Sequence, residues 1–120
     1  MNTLDQAKQL QDRTKRFAIE LIKAFGRLPN DEHARIIGRQ FLRSGTSLAA
    51  NYRSACRARS AADFISKISV AEETDETRFW FELMLGAELV TKTLLDPLIK
   101  EWEELLKIFS ASLATAKRNR

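Results

Sequence analysis

A chain of 120 residues has the length of one ordinary domain, with room for a single hydrophobic core. Hydrophobic residues make up 44% of it and charged residues 30%, with four glycines and two prolines, which excludes a disordered chain and favours long amphipathic helices. One cysteine, Cys56, cannot form an intramolecular disulfide. Because no apolar run has the length of a membrane span or the form of a signal peptide, we expect a cytoplasmic protein without membrane contact.

The net charge of +4 is distributed unevenly along the chain. Residues 1–60 hold 12 Lys and Arg against 5 Asp and Glu, whereas residues 61–120 hold 8 against 11. A basic half of this kind can attract RNA or another acidic partner, and it can equally match the acidic half of a neighbouring subunit. Charge alone leaves both alternatives open.

Apolar residues at spacings of three and four predict helices over about residues 4–26 and 32–58 in the first half of the chain. Gly26 and Pro29 end the first helix. Asn30 or Asp31 can cap the second, because their side-chain oxygens accept from a free amide of the first turn.

The second half predicts two more helices, over about residues 61–93 and 97–117. The third helix begins at a capping box made by Ser60 and Asp63, and Asp96 followed by Pro97 has the form of a cap and a first-turn proline. Short loops favour antiparallel neighbours. The sequence therefore predicts an all-α single domain over residues 1–120, an antiparallel up-down-up-down four-helix bundle.

Small and polar residues interrupt the strip of the second helix that should face the core. The strip consists of Ile37, Phe41, Ser44, Leu48, Asn51, Ala55 and Ala58. Small residues let helix axes approach closely, so we expect tight packing here, with Gly45 explained by a contact. Asn51 is different, because a buried amide without a partner costs about 1–3 kcal/mol. It needs a partner.

Two acids on the third helix are candidates for that partner. Glu72 and Glu76 fall on the same predicted face as Ile65, Ile68, Phe79, Leu83, Gly86 and Val90. One hypothesis is a buried polar layer or interface, whose members would be Arg13, Thr14, Arg43, Ser44, Asn51, Glu72, Glu76 and Thr77. The alternative is that the strip reaches the edge of the bundle and that both acids turn into water.

Catalytic constellations are missing from the sequence. A di-iron centre in a bundle needs Glu-x-x-His motifs, and the only histidine, His33, belongs to no such motif. Neither a nucleophile triad, a phosphate-binding glycine loop nor a dinucleotide motif is present. We therefore expect no enzyme, no metal and no cofactor.

Arg35, Arg39, Arg53 and Arg57, which we call the arginine row, lie within about 40° of one another on the outer side of the second helix. Such a row can contact RNA phosphates, or it can face acids across a subunit contact. Lys117, Arg118 and Arg120 form a basic tail that could add a second RNA contact. Tyr52 and Trp80, on helix flanks, are candidates for interface anchors or for closing a groove within the chain.

A motif across two helices resembles a known family. It comprises Arg43-Ser44-Gly45-Thr46-Ser47, Ala50-Asn51-Tyr52-Arg53, Ala55, Arg57-Ala58, Ser60, Phe64, Lys67, Glu73, Asp75-Glu76-Thr77 and Trp80, with upstream matches at Arg13, Thr14, Phe17-Ala18, Leu28-Pro29 and Gln40. These residues are similar to those of the four-helix bundle proteins of the ribosomal RNA intervening-sequence type. One departure is Ser54, where the subgroup usually has an acid after Asn-Tyr-Arg, so a role of that acid in subunit pairing does not carry over.

The resemblance implies a bacterial four-helix bundle that assembles into a ring-like homopentamer and has no known enzymatic activity. Relatives that accompany diversity-generating reverse transcriptases use a similar basic pentamer to hold nucleic acid. The prediction is therefore a non-enzymatic oligomer that binds structured RNA through a basic surface. The alternative is a scaffold or adaptor whose ring binds a protein partner.

Overall fold

The chain is all-helical. The computed structural model describes residues 3–72 and 75–119, and side chains within 5–71 and 76–119. The described part contains helices and turns only: α1 (Thr3–Phe25), α2 (Glu32–Cys56), α3 (Ala61–Glu72), α4 (Asp75–Gly86) and α5 (Lys92–Arg118). With α3 and α4 counted as the two halves of the predicted third helix, this is the four-helix, all-α molecule that the sequence predicts.

Helices α2 and α3 begin where their caps were expected. Asp31 accepts from the amide of Ala34 at 3.0 Å, and Ser60 Oγ accepts from the amide of Asp63 at 3.0 Å. The Asp63 carboxylate reaches back to the amide of Arg59, one residue further than in the expected capping box, and also accepts from Lys67. The hydrogen bond from Lys67, with that from the Arg59 amide, lowers the pKa of Asp63.

The predicted boundary between the last two helices is wrong. Helix α4 ends at Gly86 instead of residue 93, because Glu88 adopts the left-handed conformation with φ of 57°. The amides of Glu88 and Leu89 then donate to the carbonyls of Leu85 and Met84, at 3.1 and 3.0 Å, which closes a Schellman motif. Glycine usually occupies this position, so a glutamate there carries no recognisable stop signal.

The last helix also begins earlier than predicted. Thr91 caps α5 by accepting from the amide of Leu94 at 3.2 Å, which places Pro97 inside the helix rather than in its first turn. Pro97 has no amide to donate to the carbonyl four residues back, yet α5 continues on both sides of it.

Replacing Glu88 by glycine is expected to raise the free energy of unfolding by about 0.5–1 kcal/mol, because a side chain is strained in the left-handed region. Chemical denaturation of both proteins measures the change. The matched control is Glu104→Gly at an exposed position within α5, where we expect a loss of about 1 kcal/mol. If both substitutions changed the free energy of unfolding in the same direction, the strain at Glu88 would be contradicted.

The buried face changes direction between α3 and α4. The buried residues are Ile68 and Ala71 in α3, and Thr77, Phe81 and Met84 in α4. At 100° per residue Phe81 would lie about 140° from Ile68 on one helical wheel, so a single narrow face does not contain both. The prediction assumed one buried face along the whole helix over residues 61–93. It therefore placed Phe79 and Gly86 in the core, whereas both are exposed.

Aromatic rings connect α2, α4 and α5 in the core. Phe81 lies between Phe41 and Trp102, with ring centroids 5.3 and 5.7 Å away in edge-to-face arrangements. Further along the bundle, Tyr52 stacks on Phe109 at 5.2 Å. All five residues are buried, so these contacts lie at the centre of the fold.

Glycines allow α1 and α2 to approach closely. A Cβ at Gly45 would lie 2.4 Å from Cδ1 of Leu21, and one at Gly38 would lie 3.0 Å from Cε2 of Phe25 at the end of α1. The expectation that a contact explains Gly45 is confirmed.

Candidate nucleic-acid interface

The arginine row lies on the solvent side of α2, and all four of its members are exposed. Their spacing divides the row into two pairs, Arg35 with Arg39 and Arg53 with Arg57. Fourteen residues separate Arg39 from Arg53, which corresponds to about 21 Å along the helix axis. The surface can therefore present positive charge at two places along one helix.

The guanidinium groups of the row have little competition within the chain. Arg35 donates to Oδ1 of Asn30, and Arg35 and Arg39 line an open groove of about 540 Å³ together with Asp31 and Glu32. Within the described part of the chain, no ion pair occupies any of the four guanidinium groups. These groups are available to an external anion.

The basic tail is partly helical. Lys117 and Arg118 are exposed in the last turn of α5, and Arg118 donates to Oγ1 of Thr115 at 3.3 Å. The remaining tail residue, Arg120, lies outside the described residues.

Among the described side chains, three small polar residues of the predicted polar layer hydrogen-bond to carbonyls of their own helices: Thr14 donates to Gln11 at 2.9 Å, Ser44 to Phe41 at 3.3 Å, and Asn51 to Ser47 at 2.8 Å. Such local bonds satisfy a polar group without a partner on another helix. The inference that Asn51 needs a partner is correct, but the partner is a backbone carbonyl.

Glu76 lies at the edge of the bundle, which was the alternative to a buried polar layer. Its carboxylate accepts from Arg43 at 2.6 Å and from Nε1 of Trp80 at 3.2 Å, and its side chain is 49% exposed. Arg43 is thus the predicted neighbour, while Asn51 is not. Thr77 is fully buried beside it, and its hydroxyl has no hydrogen-bond partner among the described residues. The side chain of Glu72 lies outside the described part.

Arg13 has a role that differs from the expected one. It donates through Nε and Nη2 to both carboxylate oxygens of Glu101 on α5, each at 2.7 Å, and this pairing raises its pKa. The pair is about two-thirds buried. Glu101 lines an open groove of about 530 Å³ between α1 and the start of α5, and Arg13 lines a second one of about 1010 Å³ that also reaches the end of α2 and the start of α3. Arg13 therefore joins α1 to α5.

Of the two flanking aromatics, Tyr52 belongs to the core and Trp80 to the surface of α4. Tyr52 is only 6% exposed, and its burial, with the nearby Cys56, raises the pKa of its hydroxyl. It closes the interior of its own chain. The half-buried Trp80 packs against Phe79, with ring centroids 5.2 Å apart, so it remains a candidate for surface contacts.

Two features of the surface escaped the sequence analysis. Arg78 lies over the ring of the buried Trp102 at 4.7 Å and pairs with Glu103 at 3.7 Å, although nothing in the spacing of α4 and α5 indicates this contact. Large apolar side chains are also exposed, at Ile19, Ile22, Ile36, Val70 and Phe79.

Other classes of site receive no support from the geometry. In the parts of the chain that the structure describes, no group of three or more His, Cys, Asp or Glu side chains is placed to hold a metal ion. None of the described helices combines the length and apolar character that a membrane crossing requires.

Comparison with known proteins agrees with the fold. A crystal structure of a protein of unknown function, from the S23 ribosomal protein family of Bacteroides thetaiotaomicron, superposes with a TM-score of 0.83 at 30% identity, covering 90% of this chain and 97% of that one. No curated protein matches the chain. The family model of the 23S rRNA-intervening sequence protein matches residues 7–111, which is most of the sequence. The resemblance in the motif of α2 to α4 is thereby confirmed, and the chain belongs to the 23S rRNA-intervening sequence protein family.

Proposed function

We propose that the protein is a non-enzymatic, ring-forming oligomer that binds structured RNA through the arginine row. The observation that carries the proposal is the row itself, four exposed guanidinium groups on one side of α2 without an ion pair in the described part of the chain. Guanidinium groups bind phosphate with two parallel hydrogen bonds, and a ring would repeat the row in every subunit. Lys117 and Arg118 would supply a further contact from the end of α5.

The expected mode of binding is to the RNA backbone. Phosphate contacts fix position but carry no sequence information, so we expect little sequence preference. The described aromatic rings are mostly buried, which leaves few surfaces on which single-stranded bases could stack. We therefore expect tighter binding to a hairpin than to a short single strand.

The proposal includes the assembly and its setting. The basic first half and the acidic second half of the chain suit a head-to-tail contact, which closes into a ring where the rotation allows, and we expect a homopentamer of up-down-up-down bundles. A bacterial, cytoplasmic protein is part of the same proposal, and the S23 relative comes from a Bacteroides.

Filter binding tests the RNA function with two variants of equal charge. In the first, Arg35, Arg39, Arg53 and Arg57 are replaced by glutamine. The matched control replaces four exposed lysines outside the row by glutamine: Lys8, Lys92, Lys100 and Lys107. At fixed ionic strength we expect the first variant to lose about tenfold or more in affinity for an RNA hairpin, because four phosphate contacts disappear, and the control to lose much less. Equal losses would mean that only net charge matters.

A protein-binding scaffold is the second candidate, and the exposed Ile36, Val70 and Phe79 favour it. The same titration separates the two functions. If the variant without the row binds RNA as well as the wild type does, the arginines are better explained as the basic half of a protein contact.

A further inference from the structure

Two exposed faces of the protein combine apolar side chains with opposite charges. On α1, Ile19 and Ile22 are 40% and 54% exposed and share one side of the helix, with Lys15 one turn before them and Lys23 one turn after Ile19. We call these four residues the α1 face. Lys15 and Lys23 make it basic, although Lys23 also contacts Glu20 at 3.3 Å.

On α4, Phe79 is 50% exposed, and Glu82 lies three residues later on the same side. These two residues and Trp80, which supports the Phe79 ring, form the α4 face. Glu82 gives this face its negative charge, since Arg78, one turn before Glu82, already pairs with Glu103 at 3.7 Å. Glu82 has no ion pair among the described residues, so its charge is available to a partner.

The two faces cannot meet within one chain. Helix α1 packs against α2 and α5, and α4 packs against the same two helices from the other side, without contact between α1 and α4 in the described residues. A second copy of the chain, however, can place its α4 face on the α1 face of the first. Contact between two different faces is heterologous, the kind that generates rings.

We infer that the α1 face of one subunit binds the α4 face of the next. The Phe79 ring packs against Ile19 and Ile22 and removes their apolar surface from water, while Lys15 and Lys23 lie at the rim opposite Glu82. This contact leaves the arginine row on α2 outside the pairing residues. The inference rests on the proposed self-assembly and assigns its interface.

Complementary variants test the pairing by light scattering coupled to gel filtration. Ile22→Asp spoils the α1 face but keeps the α4 face, and Phe79→Lys does the reverse. Each variant alone is expected to have the mass of one chain, 13.7 kDa. An equimolar mixture is expected to give a dimer of twice that mass, because only one intact pair of faces remains.

Ile36→Asp and Val70→Asp are the matched controls. Both residues are as exposed as Ile22 and Phe79 but lie outside the two faces, so these variants should keep the wild-type mass. Circular dichroism melts confirm that all four variants fold.

Three results would overturn the inference. A wild-type protein that stays at one-chain mass overturns the proposed self-assembly as well, and leaves the two faces to a different protein. If the wild type assembles and the Ile22→Asp or Phe79→Lys variant keeps the same mass, only the assigned interface is overturned. A mixture without dimer overturns the pairing of the two faces.

Discussion

Replacing Phe81 by alanine is expected to lower the free energy of unfolding by about 3–5 kcal/mol, the range for a fully buried aromatic side chain. Phe81 is 2% exposed and holds together three helices, since its ring contacts Phe41 of α2 and Trp102 of α5. The substitution removes both edge-to-face contacts and leaves a cavity at the centre of the bundle. Urea denaturation measures the change, with Phe81→Ala and the wild type at the same protein concentration.

The control for Phe81 is substitution by leucine. Leucine fills most of the space but lacks the ring, so the expected loss is only about 1–2 kcal/mol. If Phe81→Ala cost no more than Phe81→Leu, the site would have collapsed around the cavity, and the central position of Phe81 would be contradicted.

Replacing Gly45 by alanine is expected to lower the free energy of unfolding by about 1–2 kcal/mol, although alanine is the better helix former by about 1 kcal/mol. The new Cβ would lie 2.4 Å from Cδ1 of Leu21. Leu21 is completely buried, so its methyl group can move only by displacing other core residues. Overpacking therefore outweighs the gain in helix propensity. Thermal or urea unfolding measures the net effect.

The matched control is Gly86→Ala. No atom outside its own helix turn lies within 4 Å of a Cβ at Gly86, and its φ is negative, so alanine there should stabilise the protein by up to about 1 kcal/mol. We expect alanine to lower the free energy of unfolding at Gly45 and to raise it at Gly86. A stabilising Gly45→Ala would show that α1 and α2 do not pack as closely as the structure has them.

The sequence predicted the elements that local chemistry determines. The caps at Asp31 and Ser60 were recognised because a side-chain oxygen at a fixed spacing is enough to identify them. Gly45 was recognised as a packing glycine because nothing else explains a glycine inside a long amphipathic helix. Neither inference needs knowledge of another helix.

The errors arose where distant or unusual contacts decide the structure. Glu88 turns the chain in a conformation that glycine normally takes, and Thr91 starts α5 before the more familiar signal of Asp96 and Pro97. The change in the buried face between α3 and α4 similarly explains why Phe79 was wrongly placed in the core, whereas Phe81, which was not singled out, is buried. A helical wheel drawn with one buried face for residues 61–93 cannot show such a change.

The candidate site divides in the same way. Exposure of the arginine row followed from its position opposite the apolar strip of α2. The pairing of Arg13 with Glu101 could not be predicted from the sequence, because the two residues are 88 positions apart. The hydrogen bond from Asn51 to the carbonyl of Ser47 was missed because a side-chain bond of this kind leaves no pattern in the sequence.

The salt dependence of RNA affinity tests the central claim most directly, that the arginine row contacts phosphates. For a hairpin RNA, the logarithm of the wild-type association constant should fall linearly with the logarithm of the salt concentration, by about 0.9 for each phosphate neutralised. Replacing Arg35, Arg39, Arg53 and Arg57 by glutamine should reduce that slope by roughly 3–4 per bound chain. A variant with the same slope and affinity as the wild type would contradict the claim.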